Sequence, residues 1–435
     1  MATIAPKLVT ASEVGPAMNA LARAMAEPRG VMFRFLQDAL KIPSVSGQEK
    51  TFTEFVAQWA AANGFQTDLW QAEESQLPPG PAPFATHLPL HGRPTLVIKL
   101  AGTGRGPSLL FNAHSDVVGP GDVAAWTVPP FSGTFQNDRF ISRGACDVKG
   151  PLASALWCML ALKHCFGNSL PGDVLLELIP GEEDAVGLGT LTSVARGHRA
   201  DAVIILEPTE NLPRPASRAG CLFVVTLHGR AVHGTVKWLG KDALALAPVV
   251  MQALAAMEQA YNHVSPDALF AEYPYQRPIT LDSINGGRWQ GMVCDECVLA
   301  GYLELLPRDD IQDWKKRFTA DLLAGLPDAD ARGRVAVAFT EEYHGHVTDV
   351  QEAVCRAAMA AVAPWQDCPW AGFNSGCEAG VRWFLHGTPT LVWGPGTLGH
   401  AHAADESIGF SEVANAAELF ARTCVLFSGH QETKC

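Results

Sequence analysis

Five short segments of the 435-residue chain carry histidines and carboxylates at spacings that suit metal binding. The first is HSDVV, in which His114 ends an apolar run and Asp116 follows two residues later. Side chains repeat every two residues along a strand, so Asp116 can lie beside the His114 ring and hold it in one tautomer. An ordinary polar pair has the same spacing, so this segment does not decide the question alone.

The next three segments are acidic. Asp147 lies in SRGACDVKG, a glycine-flanked turn before a helix, where an aspartate usually caps the helix. Glu182 and Glu183 stand together in PGEEDAVGLGT, and Glu207 closes the apolar run IILE. Burying adjacent carboxylates is unfavourable unless a cation neutralises them, and without one they form a solvated acidic turn.

The fifth segment, GPGTLGHAHAADES, places His400 and His402 in a glycine-rich loop, and one of the two is sufficient to complete the set. Two histidines and three carboxylates suit Zn²⁺, with Mn²⁺ or Co²⁺ as replacements, and one shared carboxylate can bridge two ions. Two ions about 3.5–4 Å apart share a hydroxide nucleophile and polarise a carbonyl. A further carboxylate that binds no metal must then carry the proton.

The elements that position these residues read as an α/β sheet. Runs rich in Val, Ile and Leu alternate with helical stretches, which is typical of a parallel or mixed sheet covered by helices. The predicted strands are 95–100, 108–114, 174–180, 202–208 and 389–396, and the predicted helices are 150–165 and 410–427. Ligands collect at the carboxyl ends of strands in such sheets, so residues distant in sequence should converge on one edge.

The pattern changes after the connector NLPRPASRAG. Strands at 221–230, 278–284, 298–306 and 334–339 and helices at 241–261 and 310–323 predict a small α+β layer. We therefore predict a catalytic metal-binding domain over 1–215 and 341–435, and an inserted domain over 216–340. PPGPAPF, residues 78–84, reads as a surface loop.

Composition excludes several classes of protein. The formal net charge of −13 disfavours binding to nucleic acid or to an anionic membrane. The chain has no uninterrupted apolar run long enough for a membrane span and no compact apolar run near its start, so we expect a cytoplasmic protein. The 11 cysteines are scattered and predict free thiols, and the lone CxxC of Cys294 and Cys297 predicts packing rather than a zinc site.

In their order, the five segments resemble those of the dinuclear zinc aminoacylases, acetylornithine deacetylases, succinyl-diaminopimelate desuccinylases and carboxypeptidase G, from about Phe33 onward. The resemblance implies a zinc exopeptidase-like mixed sheet with an inserted α+β lid that mediates dimerisation. It makes Glu182 the general base, Asp116 the residue that orients a histidine, and Asp147 the bridging ligand. The implied metal ligands are His114, Asp147, Glu183, Glu207 and His402, the last chosen over His400 by an HxxxE pattern.

The resemblance also implies a role for the inserted lid. RAVHGTVKWLGKDAL is similar to a segment that donates a histidine to the partner subunit's site, so we expect His233 to stabilise the oxyanion. Three positions depart from the family pattern. Gly291 replaces an asparagine that touches substrate, Glu378 replaces an aspartate, and Glu304 replaces an arginine that grips a carboxylate, which Glu304 would instead repel.

The resemblance thus implies a two-zinc homodimer that hydrolyses the amide bond of a small N-acyl amino acid or N-acyl amine. A dipeptidase or carboxypeptidase is the alternative within the same chemistry. A metal-binding scaffold without catalysis is the alternative outside it.

Overall fold

A computed structural model describes residues 15–73, 75, 77, 89–184, 187–365 and 367–429, so the predicted loop at 78–84 lies outside the described residues. The chain divides into two compact units. Unit 1 consists of Met1–Ala216, Val347–Trp370 and Cys377–Cys435, and unit 2 consists of Ser217–His346 and Ala371–Gly376. The catalytic and lid roles that the sequence assigns to the two parts of the chain stay predictions.

The described residues form helices and strands with the following bounds. The helices are α1 (Gly15–Ala26), α2 (Arg29–Leu40), α3 (Lys50–Ala62), α4 (Gly150–Phe166), α5 (Leu188–Arg196), α6 (Ala247–Tyr261), α7 (Ile311–Ala324), α8 (Ala329–Arg332), α9 (Ala353–Val362), α10 (Ala379–His386) and α11 (Phe410–Ser428). The strands are β1 (Gln66–Trp70), β2 (Thr95–Leu100), β3 (Leu109–His114), β4 (Thr134–Gln136), β5 (Arg139–Ile141), β6 (Val174–Ile179), β7 (Ala202–Ile205), β8 (Ala216–Ser217), β9 (Ala219–His228), β10 (Ile279–Gly286), β11 (Glu296–Leu305), β12 (Val335–Tyr343), β13 (His346–Val347), β14 (Thr390–Val392) and β15 (Ser407–Gly409).

Unit 1 is built on a six-stranded sheet in the order β1-β2-β6-β3-β7-β14. β6, β3, β7 and β14 run parallel, while β1 and β2 pair antiparallel. Every residue of β3 and β6 is buried, as expected for central strands covered by helices. The predicted α/β fold with a mixed sheet is therefore confirmed.

The longest apolar helix of unit 1 follows the Asp147 turn. The stretch Ala145–Phe166, which includes α4, is long and apolar enough to cross a membrane by length and composition, with a mean hydropathy of 1.2. The most apolar 18-residue window of that stretch is buried inside the protein, where α4 packs against α11, β3 and β6. A helix that is apolar on every side is also what the centre of a large core requires.

The parallel strands bring their carboxyl ends to one edge of the sheet. β3 and β6 end in register at His114 and Ile179, and β7 pairs with β3 on its other side. The segments that leave these three strands therefore start side by side, as expected for an open α/β sheet. A separate three-stranded sheet, β15-β5-β4, pairs Ser407 with Ile141 and so joins the chain near residue 406 to the chain near residue 142.

Unit 2 contains a four-stranded antiparallel sheet in the order β10-β11-β9-β12, with α6 and α7 packed against it. The predicted helix at 241–261 begins only at Ala247, after a 3₁₀ turn at Leu244–Leu246. Pro248 explains the difference, because a proline is tolerated in the first turn of a helix and breaks its interior.

Candidate metal centre

His114 anchors the site at the end of β3. Its ring Nδ1 lies 2.9 Å from the main-chain oxygen of Asp116, and its Nε2 lies 2.9 Å from Asp147 Oδ1. Burial alone would lower the pKa of His114, but the bond to Asp147 and the carboxylates around it raise that pKa well above its ordinary value. The ring is thus fixed on one side by a carbonyl and directed by the other towards an acidic group.

The Asp116 carboxylate is bound mainly to the backbone of the next strand's exit loop. Its Oδ1 accepts from the backbone N–H groups of Gly181 and Glu182 at 3.0 and 3.2 Å, and its Oδ2 accepts from that of Glu183 at 3.1 Å. The same carboxylate is 3.7 Å from His114 Nδ1. The His114 ring therefore lies within hydrogen-bond distance of the main-chain oxygen of Asp116, while the carboxylate holds the loop of Glu182 and Glu183, and the predicted orienting role of that carboxylate stays a prediction.

Asp147 joins the two histidines. Its Oδ1 contacts His114 and its Oδ2 lies 3.3 Å from His402 Nε2. The cap position of α4 is Lys149, and Asp147 makes no capping bond there, so helix capping does not account for Asp147. Burial would raise the pKa of Asp147, but the bonds from His114 and His402 hold it below its usual value. Asp147 is placed as a carboxylate shared between two ligand positions.

Three glutamates lie near Asp147 and its two histidine partners. Glu183 Oε2 lies 3.1 Å from His402 Nε2, and one atom each of His114, Asp147 and Glu183 lie within 4.8 Å of one another. Burial raises the pKa of Glu182 and Glu207 well above the ordinary value, and nearby carboxylates add to both shifts. The pKa of Glu183 is raised by burial and by Asp147. A solvated acidic turn would not shift three carboxyl groups in this way.

The structure brings His402 to the carboxylates and leaves His400 elsewhere. Hydrogen bonds to Asp147 and Glu183 raise the pKa of His402 to about 11. The His400 Nδ1 lies 3.1 Å from Arg139 Nη2 and 3.3 Å from the main-chain oxygen of Ser407. Of the two histidines in this loop, His402 is therefore the one whose ring is placed to bind the same metal ion as Asp147.

The donor set fits two divalent cations. The carboxylates of Asp147, Glu182, Glu183 and Glu207 carry four negative charges when ionised, which two divalent ions would balance with neutral imidazoles. Oxygen and imidazole nitrogen ligands without thiolates suit zinc and its neighbours in the first transition series.

A second acidic group lies beside the Asp116 loop and does not need a metal. Glu49, Asp116 and Asp184 also bring oxygens within 4.8 Å of one another. The Arg93 guanidinium lies among them, with Nη2 2.6 Å from Glu49 Oε1 and 2.5 Å from Asp184 Oδ1. The protein thus supplies the cation for this group itself. Sequence reasoning missed these partners because Glu49 and Arg93 carry no motif.

His233 lies in unit 2, where it starts a 3₁₀ turn at Gly234–Leu239. Its Nδ1 lies 2.8 Å from Thr235 Oγ1 and accepts from the Thr235 backbone N–H at 3.3 Å. This is the ordinary capping role of a polar residue before a turn. The His233 side chain is exposed, and its oxyanion role stays a prediction.

The three departures from the family pattern have different surroundings. Gly291 has a φ of 76°, a backbone conformation that glycine adopts without strain. Glu378 is buried and its Oε1 accepts from the Gly187 backbone N–H at 2.7 Å. Burial raises the pKa of Glu378 to about 7, although the bond from Thr190 opposes that shift.

Glu304 is buried inside unit 2, with 7% of its surface exposed, and its Oε2 has no hydrogen-bond partner among the described residues. Burial raises the pKa of Glu304 to about 7, while the Tyr343 hydroxyl and the charge of Arg218 oppose the shift. A buried carboxyl that holds its proton near neutral pH is a weak source of repulsion for a substrate carboxylate.

The replacement Glu304→Gln should change how stability depends on pH. The pKa of Glu304 is about 7 in the folded chain against an ordinary 4.5, so the folded state binds the proton more tightly. The contribution of Glu304 to the free energy of unfolding is therefore greatest below about pH 4.5 and falls as the pH rises through 7. Glu304→Gln removes this loss and should stabilise the protein by about 1–3 kcal/mol at pH 8.5, and by little at pH 5. Urea unfolding across this pH range measures the difference.

Glu296→Gln is the matched control, because Glu296 lies on the same strand but pairs with Arg288 at the surface. It should leave the pH profile of wild type unchanged. Parallel profiles for wild type and Glu304→Gln would contradict the raised pKa of Glu304.

An α/β sheet whose carboxyl edge gathers two histidines and four acidic residues defines a metal-dependent hydrolase. The model of peptidase family M20/M25/M40 matches residues 110–425, and the chain belongs to that family. It is a hydrolase of a metallopeptidase family, and its curated relatives include a deformylase and desuccinylases.

Two curated relatives illustrate the range of the family. The N-formyl-4-amino-5-aminomethyl-2-methylpyrimidine deformylase of Halalkalibacterium halodurans is 26% identical over 361 residues, which cover 74% of this chain and 79% of that protein. A probable succinyl-diaminopimelate desuccinylase of Staphylococcus epidermidis is 32% identical over 233 residues, 53% of this chain and 52% of that protein.

Solved structures share the fold at low sequence identity. A di-peptidase from Saccharomyces cerevisiae has a TM-score of 0.75 at 15% identity and covers 95% of this chain and 99% of its own. A dinuclear metal-binding peptidase of the M20 family from Bacillus subtilis has a TM-score of 0.63 at 15% identity, covering 93% and 99%. The likeness extends over both units of the chain, so the resemblance inferred from five short segments is confirmed at the level of family and fold.

Proposed function

We propose that this chain is a two-zinc deacylase that hydrolyses the amide bond of a small N-acyl amine or N-acyl amino acid. The observation that carries the proposal is the gathering of His114, Asp147, Glu183 and His402 within hydrogen-bond distance, with the half-buried Glu182 and the buried Glu207 beside them. The carboxylates of this group repel one another unless a cation neutralises them, which supports the presence of metal in the working enzyme.

The metal ligands in this proposal are His114, Asp147, Glu183, Glu207 and His402. Zinc fits the ligand set, and Co²⁺ or Mn²⁺ would bind the same atoms. When bound, such ions supply Lewis-acid polarisation of a carbonyl oxygen and lower the pKa of water. Asp147 would be the ligand shared by both ions, since its two oxygens contact different histidines.

Glu182 is the proton carrier. Its pKa is raised well above the ordinary carboxyl value by burial and by Glu207, which moves it towards the range where a carboxylate can both take and return a proton near neutral pH. Glu182 would accept the proton of the attacking water and then donate it to the leaving amine. Asp116 fixes the backbone of Glu182, so the carboxylate starts from a defined position.

The substrate class follows from the relatives and from Glu304. Two deformylases align with 74% and 83% of this chain, at 26% and 24% identity. Both act on an N-formyl aminomethyl pyrimidine, a small N-acyl amine without a carboxylate. This chain has Glu304 where many relatives have an arginine that grips a carboxylate, and that glutamate is buried. We therefore favour N-acyl amines with a short acyl group over N-acyl amino acids.

A substrate panel tests the proposal. The metal content of the wild-type protein is measured first. The protein is then assayed with N-formyl, N-acetyl and N-succinyl amines, with amino acids that carry the same N-acyl groups, and with dipeptides. We expect fastest turnover of the N-formyl or N-acetyl amines and loss of turnover on chelation, restored by Zn²⁺ or Co²⁺. Fastest turnover of dipeptides would replace the deacylase by a dipeptidase, and two bound metals without any hydrolysis would favour a scaffold.

The same proposal includes a homodimer formed through unit 2. β10 is an edge strand of its sheet, most of its residues are exposed, and Ile284 on it is 50% exposed. Such an edge offers unpaired backbone groups to a second chain, and Leu244 and Met251 add exposed apolar surface in the same unit. A dimer would allow His233 to act in the partner's site. The molar mass in solution, measured by light scattering, tests this.

A further inference from the structure

One buried carboxylate beside the centre has no role in the chemistry described above. Glu406 has no exposed surface and lies four residues after His402 in the loop that follows β14. Its side chain makes no contact with either histidine of that loop among the bonds of the described residues. It reaches instead across to the turn that carries Asp147.

The two oxygens of Glu406 accept four hydrogen bonds from this turn. Oε1 accepts from the backbone N–H groups of Cys146 and Asp147 at 2.9 and 3.1 Å. Oε2 accepts from the backbone N–H of Gly144 at 3.0 Å and from Arg143 Nη1 at 2.7 Å. Backbone donors that point at one carboxylate hold a chain segment rigidly, because each bond fixes the peptide plane that donates it.

Arg143 connects this arrangement to the second histidine. Its Nη1 binds Glu406 and its Nη2 lies 3.4 Å from the main-chain oxygen of His402. The guanidinium also lies over the ring of Trp126, with 5.2 Å between the guanidinium carbon and the ring centroid. One ion pair thus touches the backbone of Asp147 and the backbone of His402, the two residues whose side chains meet in the site.

The backbone of Glu406 is held as firmly as its side chain. Its main-chain oxygen accepts from the Ser142 N–H at 2.9 Å, and Ser407 pairs with Ile141 in the small sheet. The Glu406 carboxylate is therefore attached to a segment of backbone that is itself held in place by hydrogen bonds.

We propose that Glu406 is a positioning residue for the metal centre, which shapes the Gly144–Asp147 turn so that the Asp147 carboxylate reaches both His114 and His402. The proposal rests on the proposed metal centre. Glu406 itself binds no metal and carries no proton in it. Removing its acceptors should weaken metal binding without removing any ligand.

A second buried ion pair of the same unit provides the comparison. Glu177 pairs with Arg382, both are buried as deeply as Glu406 and Arg143, and Glu177 also accepts from Asn112 Nδ2 at 2.7 Å. The recorded partners of the Glu177 carboxylate are side chains, and none belongs to a proposed metal ligand. Loss of either carboxylate leaves a buried arginine unpaired, so both replacements disturb the fold in the same way.

The experiment compares Co²⁺ binding to wild type, Glu406→Gln and Glu177→Gln, by titration of metal-free protein and by the visible spectrum of the bound ion. Glu406→Gln should raise the Kd for Co²⁺ by about 10–100-fold and alter the spectrum, because a glutamine turns one acceptor into a donor. Glu177→Gln should leave Kd and spectrum as in wild type. Arg143→Lys, which loses one of its two contacts, should fall between.

Each possible result of this experiment either supports or overturns the positioning role of Glu406. Equal Kd values for wild type and Glu406→Gln overturn the proposal, and so does an equal loss in Glu177→Gln, which would mean general loosening. A wild type that binds no metal overturns the metal centre as well as the positioning role. If Glu406→Gln does not fold, amide exchange in metal-free wild type decides instead. Protected amides at Cys146 and Asp147 support the proposal, and fast exchange there overturns it.

Discussion

Glu182→Gln should lower kcat by about 10²–10⁴-fold while the protein keeps its metal, because the replacement removes the group that moves the proton and preserves its size. Burial and the neighbouring Glu207 raise the pKa of Glu182, which is the shift that suits a base working near neutral pH. Measuring kcat together with metal content separates the loss of proton transfer from the loss of a ligand.

Glu183→Gln is the matched comparison, since it changes the adjacent residue by the same atoms. Glu183 contacts His402 and belongs to the group of ligand atoms within 4.8 Å of one another. This variant should lose metal affinity as well as activity. A Glu182→Gln enzyme that turns over normally would remove Glu182 as the base, and one that loses metal while Glu183→Gln retains it would exchange the two roles.

Asp147→Asn should reduce the metal content from two ions to one or none and lower turnover. Oδ1 of Asp147 lies 2.9 Å from His114 and Oδ2 lies 3.3 Å from His402, so an amide at this position takes an oxygen ligand from one ion position and the shared negative charge from both. We expect an affinity loss greater than about 100-fold, the upper end for losing a residue that only orients a ligand. Metal analysis after dialysis, with the kcat of the same sample, measures both effects.

Asp173→Asn provides the control for that variant. Asp173 is a carboxylate that accepts from the Gly102 backbone N–H at 2.8 Å and pairs with Lys99, and it lies just before β6, at the end of that strand opposite Glu182. It should keep both metals. Two tightly held ions in Asp147→Asn would contradict the bridging role and leave His114 and His402 to separate sites.

The residues at strand ends were predictable because their position follows from the strands themselves. β3, β6 and β7 appear in the sequence as buried apolar runs, and parallel strands must bring the residues after them to one edge. His114, Glu183 and Glu207 therefore follow from local pattern plus one topological rule. Asp147 and His402 needed the resemblance, because a glycine-rich turn and a loop have many conformations.

Contacts between residues distant in sequence were not predictable in this way. The Asp116 carboxylate binds backbone N–H groups about 65 residues away, and any peptide group can serve as such a donor, so no residue type signals the partner. Glu406 was visible only as part of the HxxxE spacing that selected His402. Its true partners, the amides of the Asp147 turn, appear only once β5 and β15 are paired.

Helix α6 and Glu304 show two further limits. The predicted helix runs from residue 241 across Pro248, whereas α6 begins at Ala247 and has Pro248 in its first turn. Side chains alternate between the two faces of β11, and whether the face of Glu304 is covered depends on Arg218 and Tyr343 from other parts of the unit. Burial of a single charged residue is decided by the packing of whole elements.

The hydrogen bonds of Glu406 span 260 residues of chain, from Cys146 to the loop that also carries His402. Both segments of unit 2, Ser217–His346 and Ala371–Gly376, are inserted between these two parts of the chain. In the proposed metal centre, metal capture should therefore be a late event of folding, because a nascent chain that has only produced residues up to β7 holds His114 and Asp147 but lacks the segment that would complete their coordination. Closure of so long a loop makes the centre dependent on the completed chain, and bound metal reports that the last quarter of the protein has joined the sheet.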